Sequence, residues 1–369
     1  VHLLASLLAS ASPLLGAQTP APQPAPPQAK PPVVAPAPAA PADPATAAFD
    51  AAMDLKRKQK HVETAQAFEA FVKQFPDSPR VPEAIVEAGV GWYAAARAKM
   101  VLHRATEDSD ALSAKATKIF ADFLKERPKD PQAGRVQYLV GMNRFFLGDL
   151  AGAEAAFDAV MTKYPDDPKY VPLSLERRSA MRRHLFENDL AVADLQRYVR
   201  DFPKGENLEK VQKALQYSTL FDKPAPALRI EAWVQGGPLT LDKLKGKVVG
   251  LLFFATWCPH CEEERPFILE LDRRYAPAGL ALVGVVNHSQ NQTVESVRAW
   301  LPKNEVRFPV LMDANQATAG SYHESTIPTL VLIDKSGKVR WLENPSALWD
   351  YTIETLLAED DSAASAPKK

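Results

Sequence analysis

The stretch Val248–Phe254 carries no polar side chain, and it runs directly into Ala255-Thr256-Trp257-Cys258-Pro259-His260-Cys261. An unbroken apolar run of this length reads as a strand buried on both faces, as at the centre of a sheet covered by helices. Pro259–Tyr275 then has helical spacing, and Pro259 suits a first helical turn because its missing N–H has no partner there. Cys258 is therefore predicted at a helix N-terminus, just beyond the end of a central strand. That order requires an α/β arrangement around the cysteine pair.

Those two cysteines are the only ones among 369 residues. A disulfide-stapled scaffold and an all-Cys zinc site are thereby excluded. The formal net charge of −1 lacks the basic excess of a nucleic-acid binder. The length exceeds one typical core, so two folded domains with tails are expected.

The N-terminus is compositionally distinct. Val1–Ala17 is apolar and small, without an acidic residue, and resembles the core and cleavage region of a secretory leader. It is short for a bilayer span, and no Cys follows it to carry a lipid. Gln18–Thr46 is almost entirely Pro, Ala and Gln, an extended linker that cannot offset the entropy of folding. Together they suit a body outside the cytoplasm, periplasmic in a bacterial envelope, with tethering by an uncleaved leader as a variant; a disordered apolar tail followed by an ordinary disordered spacer is the alternative.

Residues 47–221 have helical periodicity, as in Phe68, Phe71, Val72 and Phe75, or Ile119, Phe120, Phe123 and Leu124. A unit recurs that ends in Phe75-Pro76, Arg127-Pro128, Tyr164-Pro165 and Phe202-Pro203, with prolines 52, 37 and 38 residues apart. The longer first gap holds a polar stretch, His103–Asp110, read as an insertion. Each helix stops at its proline, and each helix pair must stack on the next to bury its apolar face. The unit Leu147-Gly148-Asp149, Ala153, Ala156-Phe157, Tyr164-Pro165 resembles a tetratricopeptide-type repeat. The resemblance implies an all-α solenoid over 47–221 that binds a protein partner; a purely structural spacer is the alternative.

Beyond a break at Asp222-Lys223-Pro224-Ala225-Pro226 the pattern turns to strands. Ala227–Val234, Val248–Phe254, Leu280–Val286 and Thr329–Ile333 read as strands, the last paired with Lys338–Leu342 across a Gly337 turn, and Phe308–Met312 reads as a weak strand or a loop. Helices are expected at Pro259–Tyr275, Val294–Lys303, Ala314–His323 and Ala347–Leu357. The result is a mixed sheet with helices on both faces over 224–360, followed by a polar tail, 361–369.

The Cys pair suggests redox chemistry. Free N–H groups and the helix dipole stabilise a thiolate at Cys258, and two intervening residues bring Cys261 within bonding reach as a resolving thiol. A protonated His260 between the sulfurs would stabilise the thiolate further and raise the reduction potential. Glu264 lies three residues beyond Cys261 on the same helix face, placed to take its proton; the alternative is a solvated acidic turn of Glu262, Glu263 and Glu264. Pro266 is expected to kink the helix.

Leu244-Lys245-Gly246-Lys247-Val248-Val249, Phe254-Ala255-Thr256-Trp257-Cys258-Pro259-His260-Cys261, Glu264, Pro266, Ile327-Pro328-Thr329 and Ile333-Asp334-Lys335-Ser336-Gly337 together resemble the TlpA/ResA-like branch of thioredoxin-like proteins over about 225–357. The resemblance implies a thioredoxin-like fold and a cis Pro328 facing the Cys pair. Thr326, Ile327 and Pro328 would then form a substrate-binding edge that pairs with an extended chain. Trp257, Pro259 and His260 would tune the pair. Thioredoxin's buried strand Asp corresponds to Leu252 here, so Glu264 is the candidate to replace it. Two positions depart from the family pattern, His260 and Thr326, and His260 leaves the direction of electron flow open.

The expected activity is thiol–disulfide exchange with protein substrates, served by a redox partner protein, with no cofactor, metal or nucleic acid. Rival readings are a structural disulfide or half a zinc site with His260, His288 and His323, and a helical scaffold with a vestigial redox domain. A third is a thiol peroxidase, which carries Thr three residues before its Cys, where this chain has Ala255.

Overall fold

The computed structural model describes residues 43–100, 106–324 and 326–359. The leader-like segment 1–17, nearly all of the linker 18–46 and the tail 361–369 lie outside the described residues. The helical region opens at Pro44, three residues earlier than the sequence reading placed it.

Its helices are α1 (Pro44–Arg57), α2 (His61–Gln74), α3 (Val81–Ala98), α4 (Glu107–Glu126), α5 (Ala133–Phe146), α6 (Leu150–Lys163), α7 (Tyr170–His184), α8 (Asn188–Asp201) and α9 (Leu208–Ser218). The even-numbered helices α2 to α8 all end in the same way. Phe75, Arg127, Tyr164 and Phe202 take φ between −128° and −132° and ψ between 51° and 59°. The proline that follows each of them clashes with a helical residue in front, so the chain leaves the α region there. Each N–H still reaches back four residues, to the carbonyls of Phe71, Phe123, Val160 and Tyr198.

Phe68, Phe120, Phe157 and Leu195 occupy matching places in the repeats and are fully or almost fully buried. A Cβ on Gly141 would lie 2.6 Å from Cε1 of Phe157, so glycine there admits the ring to the α5 backbone. Gly89 admits Phe120 to α3 in the same manner. Residues 106–110 of the polar stretch begin α4, where Thr106 and Ser109 form a reciprocal cap. At 20 residues, α4 is longer than the 14-residue α6 and α8, which accounts for part of the wide first spacing.

The rest of the chain supplies β1 (Ile230–Gln235), β2 (Val248–Phe253), α10 (Pro259–Tyr275), β3 (Leu280–Val286), α11 (Val294–Trp300), β4 (Val310–Asp313), α12 (Ala317–Ser321), β5 (Thr329–Ile333), β6 (Val339–Glu343) and α13 (Asp350–Ala358). The sheet order is β1-β4-β3-β2-β5-β6. β2 is parallel to β3 and antiparallel to β5, and every residue of it is buried, as its composition demands. Helix α10 continues through Pro266.

Ile268 and Leu271 of α10, Val297 of α11 and Ile353 and Leu356 of α13 cover one face of the sheet. The other face is covered by Leu244, by Tyr322 and by two residues from the helical region, Tyr217 and Phe221. The helical stretch therefore ends inside the core of the sheet. The segment Asp222–Pro226 is tied along β6. Asp222 N–H donates to the Val339 carbonyl at 2.8 Å, Val339 N–H to Lys223 at 3.0 Å, and Ala225 N–H to Gly337 at 2.8 Å. Prolines are tolerated there because the segment is an edge, bonded on one side. Trp349, just before α13, packs on Phe145 and Phe146 of α5 with ring centroids 4.5 and 5.9 Å apart. His184 Nδ1 meets Thr352 Oγ1 at 2.8 Å, and Arg183 pairs with Glu343 at 3.0 Å.

Candidate active site

Strand β2 delivers the chain into a tight turn, and Cys258 becomes the N-cap of α10, with φ −83° and ψ 116°. Its sulfur takes the place a Ser or Asp oxygen holds in an ordinary cap, accepting the Cys261 N–H at 3.3 Å. The Cys258 thiol points to the Ile327 carbonyl oxygen, 3.9 Å away. Cys258 is only 7% exposed and Cys261 half-buried; both are free thiols. The Cys261 thiol is pushed well above its ordinary pKa, first by burial and then by its hydrogen bond with Cys258.

The Ile327–Pro328 peptide is cis, and Pro328 is buried at the head of β5. Register places it: Thr329 pairs with Phe253 across β5 and β2, so the residues just before β5 face those just after β2. Thr326 stands at the exposed rim, its hydroxyl oxygen accepting from Lys213 Nζ at 2.8 Å.

The three acidic residues of the first turn go separate ways. Glu262 pairs with Arg265 at 2.6 Å, and Glu263 with Nδ1 of His260 at 3.0 Å. The His260 ring is exposed, and neither sulfur is among its hydrogen-bond partners. Glu264 turns inward, and its Oε2 is buried with no hydrogen-bond partner among the described residues. It shares with Leu252, Phe254, Cys261, Ile268 and Pro328 the lining of an apolar cavity of about 20 Å³, room for a single water.

Sequence reasoning missed the groups that hold the motif from behind. Buried Gln292 accepts both the N–H and the hydroxyl of Thr256 at 2.8 Å, and donates to the Asn287 carbonyl at 2.6 Å. The exposed Trp257 donates from Nε1 to Ser289 Oγ at 3.2 Å. These partners lie in the loop after β3, and an isolated Gln in a polar loop carries no sequence signal. Among the described residues no cluster of His, Cys, Asp and Glu is arranged to hold a metal ion.

Residues 221–342 match the AhpC/TSA family, and residues 135–167 match a tetratricopeptide repeat. The thioredoxin-like protein YneN of Bacillus subtilis is 30% identical over 136 residues, 37% of this chain and 78% of that protein. This chain belongs to the thioredoxin-like family. The thioredoxin-like region is also 35% identical over 106 residues to the thiol-disulfide oxidoreductase ResA of Bacillus cereus. That match covers 29% of this chain and 60% of ResA. A thiol:disulfide interchange protein of the thioredoxin family from Chlorobium tepidum has a solved structure with a TM-score of 0.33 and 28% identity. It covers 37% of this chain and 97% of that one. In this thioredoxin-like protein the Thr256 hydroxyl is bonded to Gln292, and Ala255 occupies the place three residues before Cys258.

Proposed function

We propose that this protein is a thiol–disulfide oxidoreductase acting on protein substrates, with Cys258 as the attacking sulfur and Cys261 as the resolving one. The observation that carries the reading is the seat of Cys258. Its sulfur lies between the N-terminus of α10 and the carbonyl of Ile327, beside the cis Pro328. An extended substrate chain pairing with the Ile327 backbone would bring its disulfide onto that sulfur.

The Cys258 thiolate attacks one sulfur of the substrate disulfide; that bond breaks, and the other substrate sulfur leaves as a thiolate that takes up a proton. Cys261 then loses its proton to Glu264 and attacks Cys258, releasing the second substrate sulfur. Two electrons have passed to the substrate, and the enzyme holds a Cys258–Cys261 disulfide. A partner dithiol restores the pair, and the same steps reversed oxidise a substrate dithiol. The poise of the partner sets the direction.

Burial of Cys261 supports its waiting role. A thiol pushed upward stays protonated and inert until a base meets it, and the Glu264 carboxylate opens onto the same cavity. Trp257, Pro259 and His260 shape the rim of the pair, and Thr326, Ile327 and Pro328 the substrate edge.

The leader-like composition of residues 1–17 and the Pro/Ala linker support a station outside the cytoplasm, which fractionation of the native protein tests. The repeats stand as a partner-docking module, fused through Tyr217 and Phe221 to the domain they serve. The decisive experiment is the Cys261→Ser variant of the whole chain mixed with a disulfide-bonded protein such as insulin. A substrate adduct on Cys258, seen by mass spectrometry without reductant, is expected. Its absence while Cys258 remains free to alkylate would sink the reading.

A further inference from the structure

The last helix of the repeats reaches the substrate edge. Glu324 sits between α12 and the cis proline with its side chain only 2% exposed. One oxygen, Oε1, accepts the Thr326 N–H at 2.5 Å and the Thr326 hydroxyl at 3.1 Å. The other, Oε2, accepts from the Tyr217 hydroxyl of α9 at 3.2 Å. Lys213, one turn earlier on α9, donates to Thr326 Oγ1 at 2.8 Å and stands 3.8 Å from Oε1. Thr219, just past α9, meets His323 across the same contact at 3.2 Å. Thr326 is followed by Ile327, whose carbonyl lies against the Cys258 sulfur.

A buried carboxylate is costly unless its lone pairs are taken, and here they are taken from two sides at once. On one side is the backbone that leads into the cis proline, and on the other a helix outside the sheet domain. We propose that Glu324 is a positioning residue, held by Tyr217 and Lys213 of α9, that fixes the Thr326–Ile327 backbone for pairing with an extended protein substrate. The repeats thereby complete the substrate edge of the redox domain. This rests on the exchange activity proposed above. Glu324 touches neither sulfur, so its removal should weaken docking of a chain and spare the reactivity of Cys258 toward a small reagent.

The test uses the full chain and two probes, a disulfide-closed peptide and iodoacetamide. Glu324→Gln keeps the shape but loses the charge that Lys213 and Tyr217 face; Tyr217→Phe removes one hydroxyl. KM for the peptide is expected to rise about ten-fold in the first variant and about three-fold in the second, with Cys258 alkylation unchanged within about two-fold. Unaltered KM in both variants, or peptide and iodoacetamide reactivities falling together, would overturn the proposal. Should Glu324→Gln fail to fold, Tyr217→Phe and Lys213→Met carry the same comparison. Failure of the wild-type chain to reduce the peptide would remove the exchange activity and this inference with it. A working wild type with unaltered variants would remove the inference alone.

Discussion

Cys261 gives its backbone N–H to the sulfur of Cys258 at 3.3 Å, while its own side chain lines the cavity that Glu264 also lines. In the exchange proposed above, the two halves of one residue would serve two steps. There the amide would steady the attacking sulfur, and the thiol would wait in an apolar space for a base.

Glu264→Gln should therefore slow resolution and leave the first attack intact. At neutral pH a fall in turnover of about 100-fold is expected, within the usual range for losing a general base. Because the Cys261 thiol is pushed upward, more of it ionises as pH rises, so the deficit of the variant should shrink in alkali. Stopped-flow measurement of mixed-disulfide decay from pH 6 to 9 checks this. A deficit that stays constant with pH would argue against proton transfer by Glu264.

The same shift links stability to pH. A thiol whose pKa is raised by folding stabilises the folded state fully below its unfolded pKa, and that contribution drains away as pH climbs towards the folded value. The window opens near pH 8.5, the ordinary thiol value. Cys258→Ser isolates Cys261. Its unfolding free energy should fall more steeply between pH 8.5 and 10 than that of the Cys258→Ser/Cys261→Ser double variant, as urea titrations at each pH would show.

Shortening the chain should expose the shared core. Tyr217 and Phe221 are 7% and 6% exposed against the sheet. Burying a large apolar side chain contributes about 1.5–3 kcal/mol, so a fragment starting at Pro224 should lose about 3–6 kcal/mol relative to one starting at Leu208. Comparing the two by urea denaturation tests whether α9 belongs thermodynamically to the sheet domain. Equal midpoints would contradict it.

Trp349→Ala removes the ring that packs on Phe145 and Phe146. The side chain is half-buried, so a loss of about 2 kcal/mol is expected. Wild-type repeats and sheet should unfold together in calorimetry, and the variant should begin to separate them. Two resolved transitions in the wild type would refute the coupling.

Much of this is legible in the sequence. Val248–Phe253 became the buried central strand because nothing in it tolerates water, and the residues before Pro76, Pro128, Pro165 and Pro203 ended helices because proline forbids the alternative. Cys258 fell at the helix cap because a Pro stands at the first helical position behind it. Such features depend on contacts a few residues apart. The backbone partners of Asp222–Pro226 were not legible for the converse reason: Gly337 and Val339, which supply them, lie more than a hundred residues further along the chain.

Local sequence therefore determined the strand, the helix ends, the cap and the sulfur pair, because sterics and backbone bonding within one turn decide them. Only the tertiary structure decided which of Glu262, Glu263 and Glu264 faces inward, that Gln292 braces Thr256, and that Tyr217 of the repeats grips Glu324 beside the cis proline. Those choices join residues up to 107 positions apart, and they follow from which surfaces meet once the helical stack closes over the sheet.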